Sequence, residues 1–299
     1  MPMLPSRPMG VHILCIAGPT ASGKSARAVE EAFARGGEVI SVDSRQVYRG
    51  LDIGTEKITR EEMRGVPHHL IDVREPSGSY SAGDFARDAT RLIGEITARG
   101  KLPILVGGTH FYFDALLRGL PPSARADEAL RAAVGELPTE ELTARVRAAD
   151  PRRAAQLDPR NRRRLIRALE IIGSLGAVPP RADAEGALLQ LDSARKGTFR
   201  AEWIILDPPR EELRAKIDAR LEAALKRGLV EEVRRVRALA GDERLNELGL
   251  EYRIVGQYLR GERTEGSLLP ALSAKLWQYA RRQKAWLAKL AREDRTGIR

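Results

Sequence analysis

The stretch Gly18-Pro19-Thr20-Ala21-Ser22-Gly23-Lys24-Ser25 decides the fold. It follows the apolar run Val11-His12-Ile13-Leu14-Cys15-Ile16-Ala17, which reads as a buried strand. A segment of helical texture, about Lys24 to Arg35, comes after it. In a strand–loop–helix setting the pattern G-x-x-x-x-G-K-[ST] makes a phosphate cradle. Loop N–H groups converge on phosphate oxygens, and the helix N-terminus adds a favourable dipole. Lys24 supplies a mobile point charge and Ser25 a hydroxyl for Mg²⁺. Read alone, the eight residues Gly18 to Ser25 are therefore expected to bind phosphates, those of a nucleotide such as ATP first of all.

Working outward, Glu38-Val39-Ile40-Ser41-Val42 reads as a second strand and His69-Leu70-Ile71-Asp72-Val73 as a third. Ser81 to Arg99 has helical apolar spacing through Phe85, Ala89, Leu92, Ile93 and Ile96. Leu102-Pro103-Ile104-Leu105-Val106 is a fourth strand, closed by Gly107-Gly108. Strands alternating with helices imply a parallel sheet covered on both faces. The texture changes after Leu120. Pro121-Pro122-Ser123 reads as a connection, 127–176 as almost wholly helical, and Pro179 to Thr198 as loop. Glu202 to Leu206 is a further strand, 210–240 one or two helices, and Leu268 to Ala291 a final long helix. The fold class expected is α/β: a P-loop NTPase-like parallel sheet flanked by helices, with a mainly helical insertion domain. Its core spans 1–120 and 201–299, and the insertion 121–200.

Composition narrows the setting. The chain has 299 residues, 42% hydrophobic and 31% charged, enough for a sizeable core. One cysteine, Cys15, precludes an intrachain disulfide and a cysteine-based zinc site. No stretch approaches the roughly 20 apolar residues of a membrane span, so no membrane and a cytoplasmic location are expected. Net charge is +10 and uneven. Residues 1–120 hold 15 Lys and Arg against 14 Asp and Glu, while 121–299 hold 36 against 27. Segregated positive charge suits a polyanion such as nucleic acid, and equally an Arg-rich solvated surface.

Three features carry chemistry beside the loop. Asp43, in Ser41-Val42-Asp43-Ser44-Arg45-Gln46-Val47-Tyr48, ends the second strand. Ligands of open α/β sheets sit outside the carboxyl ends of the strands, so Asp43 is aimed at whatever the loop holds. It reads either as a general base or as a turn aspartate. Gly107-Gly108-Thr109 ends the fourth strand, either as a tight turn or as a close approach with a Thr109 hydroxyl for a phosphate oxygen. No acid ends that strand, which argues against an energy-coupling ATPase and leaves transferases. In the insertion, Pro151 to Arg167 carries Arg152, Arg153, Arg160, Arg162, Arg163, Arg164 and Arg167 against Asp158 alone. Arg163 and Arg167 share a helical face, as do Arg160 and Arg164 if the helix begins that early. Arginine forks bind phosphates and stack on bases; a solvated face is the alternative. The final helix adds Lys275, Arg281, Arg282, Lys284 and Lys289 beside Trp277, Tyr279 and Trp286.

At these residues the chain closely resembles the bacterial-type tRNA dimethylallyltransferases (tRNA isopentenyltransferases). The resemblance rests on Gly18 to Ser25, Ser41 to Tyr48, Asp52-Ile53-Gly54-Thr55-Glu56-Lys57 and Pro67-His68-His69-Leu70-Ile71-Asp72. It continues through Tyr80-Ser81-Ala82-Gly83-Asp84-Phe85, Leu105 to Thr109, and Arg164-Leu165-Ile166-Arg167-Ala168-Leu169-Glu170. It implies transfer of a dimethylallyl group from dimethylallyl diphosphate to N6 of the adenine immediately 3′ of the anticodon, with Mg²⁺. Asp43 and Thr109 would be catalytic, and Arg210 would join the loop on the diphosphate. Asp43, Ser44, Arg45, Gln46, Arg131, Arg163, Arg164, Leu165, Ile166, Arg167 and Arg253 would meet the anticodon stem-loop of tRNA. The single cysteine departs from the zinc finger of eukaryotic members. His110, Lys216 and Leu250-Glu251 depart from the usual residues. A monomer is expected. A small P-loop kinase, or a non-catalytic P-loop RNA-binding protein, are the alternatives to this reading.

Overall fold

The computed structural model describes residues 10–120, 128–178 and 199–295. The expected loop at 179–198 and the connection at 121–123 lie outside them. The chain divides into two compact units, Met1–Arg118 with Gly197–Arg299, and Gly119–Lys196.

The first unit is built on a five-stranded parallel sheet in the order β3-β2-β4-β1-β5. The strands are β1 (Val11–Ala17), β2 (Gly37–Val42), β3 (His68–His69), β4 (Leu102–Gly107) and β5 (Phe199–Ile205). Strands β1, β2 and β4 are almost wholly buried, as near-continuous apolar runs in a covered parallel sheet should be. Helix α1 (Lys24–Arg35) turns Ala28, Val29 and Ala32 onto Leu14, Ile16, Val39, Ile104 and Val106. Two further helices are α2 (Arg60–Met63) and α3 (Ala82–Ala98). The start of α3 is set by a reciprocal capping box between Ser81 and Asp84, and it buries Phe85, Ala89, Leu92, Ile93 and Ile96.

The third strand is shorter than the five residues its sequence suggests. Leu70 and Asp72 adopt left-handed φ values of 60° and 56°, which no strand continues. The chain instead turns to follow the segment after β2, where Asp72 and Val73 donate N–H bonds to the carbonyls of Gln46 and Val47. After β4 comes α4 (His110–Leu117), a helix with no clear sequence signal.

The second unit comprises α5 (Glu128–Gly135), α6 (Thr139–Ala149), α7 (Pro151–Ala154) and α8 (Arg162–Leu175). It has its own apolar core of Val134, Leu142, Val146, Leu157, Leu165, Ala168 and Val178. The first unit resumes with β5 and continues through α9 (Arg210–Lys226), α10 (Leu229–Glu247), α11 (Leu250–Leu259) and α12 (Leu268–Arg295). Among the described residues no helix is long and apolar enough to cross a membrane.

Candidate active site

Strands β1, β2 and β4 all run in one direction, so their carboxyl ends deliver Gly18, Asp43 and Gly108 to one edge of the sheet. The loop from Gly18 to Ser25 is tightly wound. Ala21 sits at φ 62° and Gly23, the cap of α1, at φ 82°. The Ser22 N–H donates to the Pro19 carbonyl at 3.3 Å, and the Ser22 hydroxyl is buried with no hydrogen-bond partner. The Lys24 ammonium donates to the Pro19 carbonyl at 3.2 Å. Burial lowers the Lys24 pKa to about 8; Asp43 opposes that shift and Arg220 adds to it.

Asp43 is wrapped by its own turn. Its Oδ1 accepts the N–H groups of Arg45 at 2.8 Å and Gln46 at 3.2 Å. The turn and base readings of this residue are thus compatible, because one carboxylate oxygen is occupied and the other is not used by the turn. The Thr109 hydroxyl oxygen accepts the Ser44 N–H at 3.2 Å, tying the β4 end to the β2 end. The Gln46 amide bonds Ser41 on one side and the carbonyls of Thr55 and Glu56 on the other, so it braces loops within the fold.

Helices from the far end of the chain close this edge. Arg220 of α9 donates to the Thr20 hydroxyl and to the Gly54 carbonyl, with the Glu251 carboxylate at 3.7 Å. Burial pushes the Glu251 carboxyl up, and Arg220 opposes it. From α12, Tyr279 sits against Thr109. Burial raises its phenol, with Asp43 and Glu251 adding to the effect. Gln283, also from α12, accepts the Thr20 N–H at 2.9 Å and donates to the Gly108 carbonyl at 3.0 Å.

The structure brings a second arginine, Arg220, to the loop beside the Arg210 expected from the sequence. Arg210 begins α9 and lies exposed over the Trp277 ring, 5.6 Å from its centroid. Arg220, about three turns along the same helix, bonds the loop at Thr20. The overlooked signal was its spacing: Arg220 falls on the apolar stripe of Leu213, Ile217, Leu221 and Ala224. A charged side chain on a buried stripe needs a partner, and the P-loop supplies one.

The tRNA-contact candidates divide by unit. In the first, Arg253 of α11 is exposed, while Ser44 and Arg45 are partly buried beside Asp43. In the second, Asn161 caps α8, so Arg160 precedes the helix and does not share a face with Arg164. Arg163 and Arg164 are exposed. Arg131 and Arg167 both bond the Glu170 carboxylate, whose side chain is fully buried. Leu165 is a correction: only 1% exposed, it fills the core of this unit and cannot offer its side chain to RNA. Ile166 packs against that core. Arg162, read as part of the basic run, donates to the carbonyls of Val134, Gly135 and Leu137 and holds α5 to α8.

A parallel sheet with a phosphate loop, a facing aspartate and no acid after β4 defines a P-loop group-transfer enzyme. Comparison with known proteins narrows that class. The sequence pattern of IPP transferases matches residues 46–290. A tRNA dimethylallyltransferase of Thermomicrobium roseum is 42% identical over 288 residues, covering 93% of this chain and 84% of the relative. One from Anaeromyxobacter dehalogenans is 41% identical over 283 residues, covering 93% and 92%. The solved full-length tRNA isopentenylpyrophosphate transferase of Bacillus halodurans superposes with a TM-score of 0.65 at 37% identity, covering 93% of this chain and 87% of that one. A eukaryotic dimethylallyltransferase solved acting on tRNA gives 0.75 at 26% identity, covering 92% and 69%. The chain belongs to the IPP transferase family.

Proposed function

We propose that the protein transfers the dimethylallyl group of dimethylallyl diphosphate to the exocyclic N6 of the adenine immediately 3′ of the anticodon in tRNA, releasing diphosphate. The observation that carries this reading is the meeting of the P-loop, Asp43 and Thr109 at one sheet edge, in a chain whose relatives are named for this reaction. Loop amides, Lys24 and Arg220 hold the donor diphosphate. As N6 bonds to the allylic carbon, the carbon–oxygen bond breaks and its electron pair leaves with the diphosphate. Asp43 takes the N6 proton, because an exocyclic amine is a poor nucleophile until it loses one. Thr109 donates to the bridging oxygen, where charge grows in the transition state.

No group of three or more His, Cys, Asp or Glu among the described residues forms a cation cage. A Mg²⁺ held by the Ser25 hydroxyl and the substrate's own phosphate oxygens fits that donor set. A cation held there would supply charge neutralisation for the leaving diphosphate. The exposed Arg163 and Arg164, with Arg45 and Arg253 on the core, serve the anticodon stem-loop, and the base must leave its stack to react. The enzyme is taken to act as a cytoplasmic monomer.

The test is direct. The protein is incubated with labelled dimethylallyl diphosphate, Mg²⁺ and unmodified tRNA, and label is sought at N6 of that adenine. Label in the tRNA is expected. No transfer, with ATP hydrolysed or its phosphate transferred instead, overturns the reading in favour of a kinase.

A further inference from the structure

On α12 the buried residues Leu272, Leu276, Ala280, Leu287 and Leu290 mark one stripe at spacings of three, four and seven. Gln283 falls on that stripe, 4% exposed. A buried primary amide is costly unless both of its ends are bonded. Here both are. Its oxygen accepts the Thr20 N–H and its nitrogen donates to the Gly108 carbonyl, a pairing that fixes which end of the amide faces which loop. Thr20 is held a second time through its hydroxyl, which accepts from Arg220. The residues next to the two anchored ones are Ala21, in its left-handed conformation, and Thr109.

We infer that Gln283 is a positioning residue, whose single planar amide sets the separation between the diphosphate loop and the Thr109 loop. The inference rests on the reading of the P-loop as a diphosphate site. The fit leaves little slack: a Cβ added at Gly108 would stand 2.2 Å from the Gln283 amide nitrogen. An apolar side chain of equal volume fills the same stripe but lets the loops drift. Ångström-scale misplacement of a binding group is expensive in rate. Packing explains that a side chain is buried here; it does not explain an amide bonded at both ends to the two loops that meet the substrate.

The experiment compares wild type with Gln283→Met, which keeps the volume and loses both bonds, and with Gly108→Ala, which displaces the amide from the opposite side. Binding of inorganic diphosphate is measured by calorimetry, and KM for donor, KM for tRNA and kcat are measured separately. Both variants are expected to weaken diphosphate binding about tenfold, raise the donor KM and lower kcat, with the tRNA KM unchanged. Should Gln283→Met fail to fold, Gly108→Ala carries the comparison alone. A lowered melting temperature with diphosphate affinity, donor KM and kcat all at wild-type values overturns the inference and leaves the proposed function standing. A wild-type protein that binds diphosphate, loses that binding with Gln283→Met, and transfers no prenyl group to tRNA does the reverse.

Discussion

Lys24 is half-buried at the foot of α1, against Pro19, with Asp43 and Arg220 acting on its charge. Its ammonium is the form that attracts phosphate, and its pKa of about 8 lies near working pH. Affinity for diphosphate therefore holds below about 8 and falls as pH rises through that value. Calorimetry with inorganic diphosphate is expected to show a loss approaching tenfold per pH unit above about 8. Lys24→Arg removes that slope, because guanidinium does not titrate there, although its larger head starts from weaker binding. A slope that survives the substitution assigns the titration elsewhere. Asp43 makes a complementary case. Asp43→Asn keeps an oxygen for the N–H groups of Arg45 and Gln46 but cannot take a proton. It is expected to lower kcat about a hundred- to ten-thousandfold, with diphosphate affinity nearly unchanged at pH below about 7. Equal loss of binding and turnover would make Asp43 a turn residue alone.

Between elements, one buried carboxylate does what several contacts do elsewhere. Glu232 of α10, 1% exposed, accepts the N–H groups of Asp52, Ile53 and Gly54 at 2.7–2.9 Å and the Tyr252 hydroxyl of α11 at 2.7 Å. Glu232→Ala strands four donors out of reach of water and is expected to cost about 3–5 kcal/mol, read from urea unfolding. Glu232→Gln, which keeps one acceptor oxygen, recovers part of that. A loss under about 1 kcal/mol for Glu232→Ala would mean that water replaces the carboxylate. Elements such as β1, α1, β4 and α3 were legible in the sequence because their apolar period, glycines and caps are local signals. β3 was overextended because the left-handed turns at Leu70 and Asp72 come from pairing with a distant segment, and no local residue pattern announces them. The P-loop, Asp43 and Thr109 were legible by their position at strand ends. Arg220 and Gln283 were not, since their partners lie 200 and 263 positions away. Each nevertheless left a mark, a polar side chain on an apolar helical stripe.

At the scale of the whole molecule, the arginine-rich run and the phosphate loop belong to different units. Arg163 and Arg164 are exposed on α8 of the second unit, which folds around its own core. Arg163→Ala with Arg164→Ala is expected to weaken tRNA binding, with the slope of log affinity against log salt reduced by roughly one to two, and to leave diphosphate affinity intact. An unchanged salt slope would remove this face from the tRNA surface. The core itself is discontinuous: β1 pairs with β4 on one side and with β5, from beyond the insertion, on the other. The Thr20 N–H waits still longer, for Gln283 of the last helix. A ribosome making this chain releases the P-loop, Asp43 and Thr109 early. At ~5–20 residues per second, the strand that covers the open side of β1 follows β1 itself by roughly 10–40 seconds. Until α12 emerges, the nascent protein carries every residue of the phosphate loop without the tie that shapes it. A message cut short before codon 283 would accordingly yield a polypeptide with the full motif and a loop that has lost its tie to the last helix.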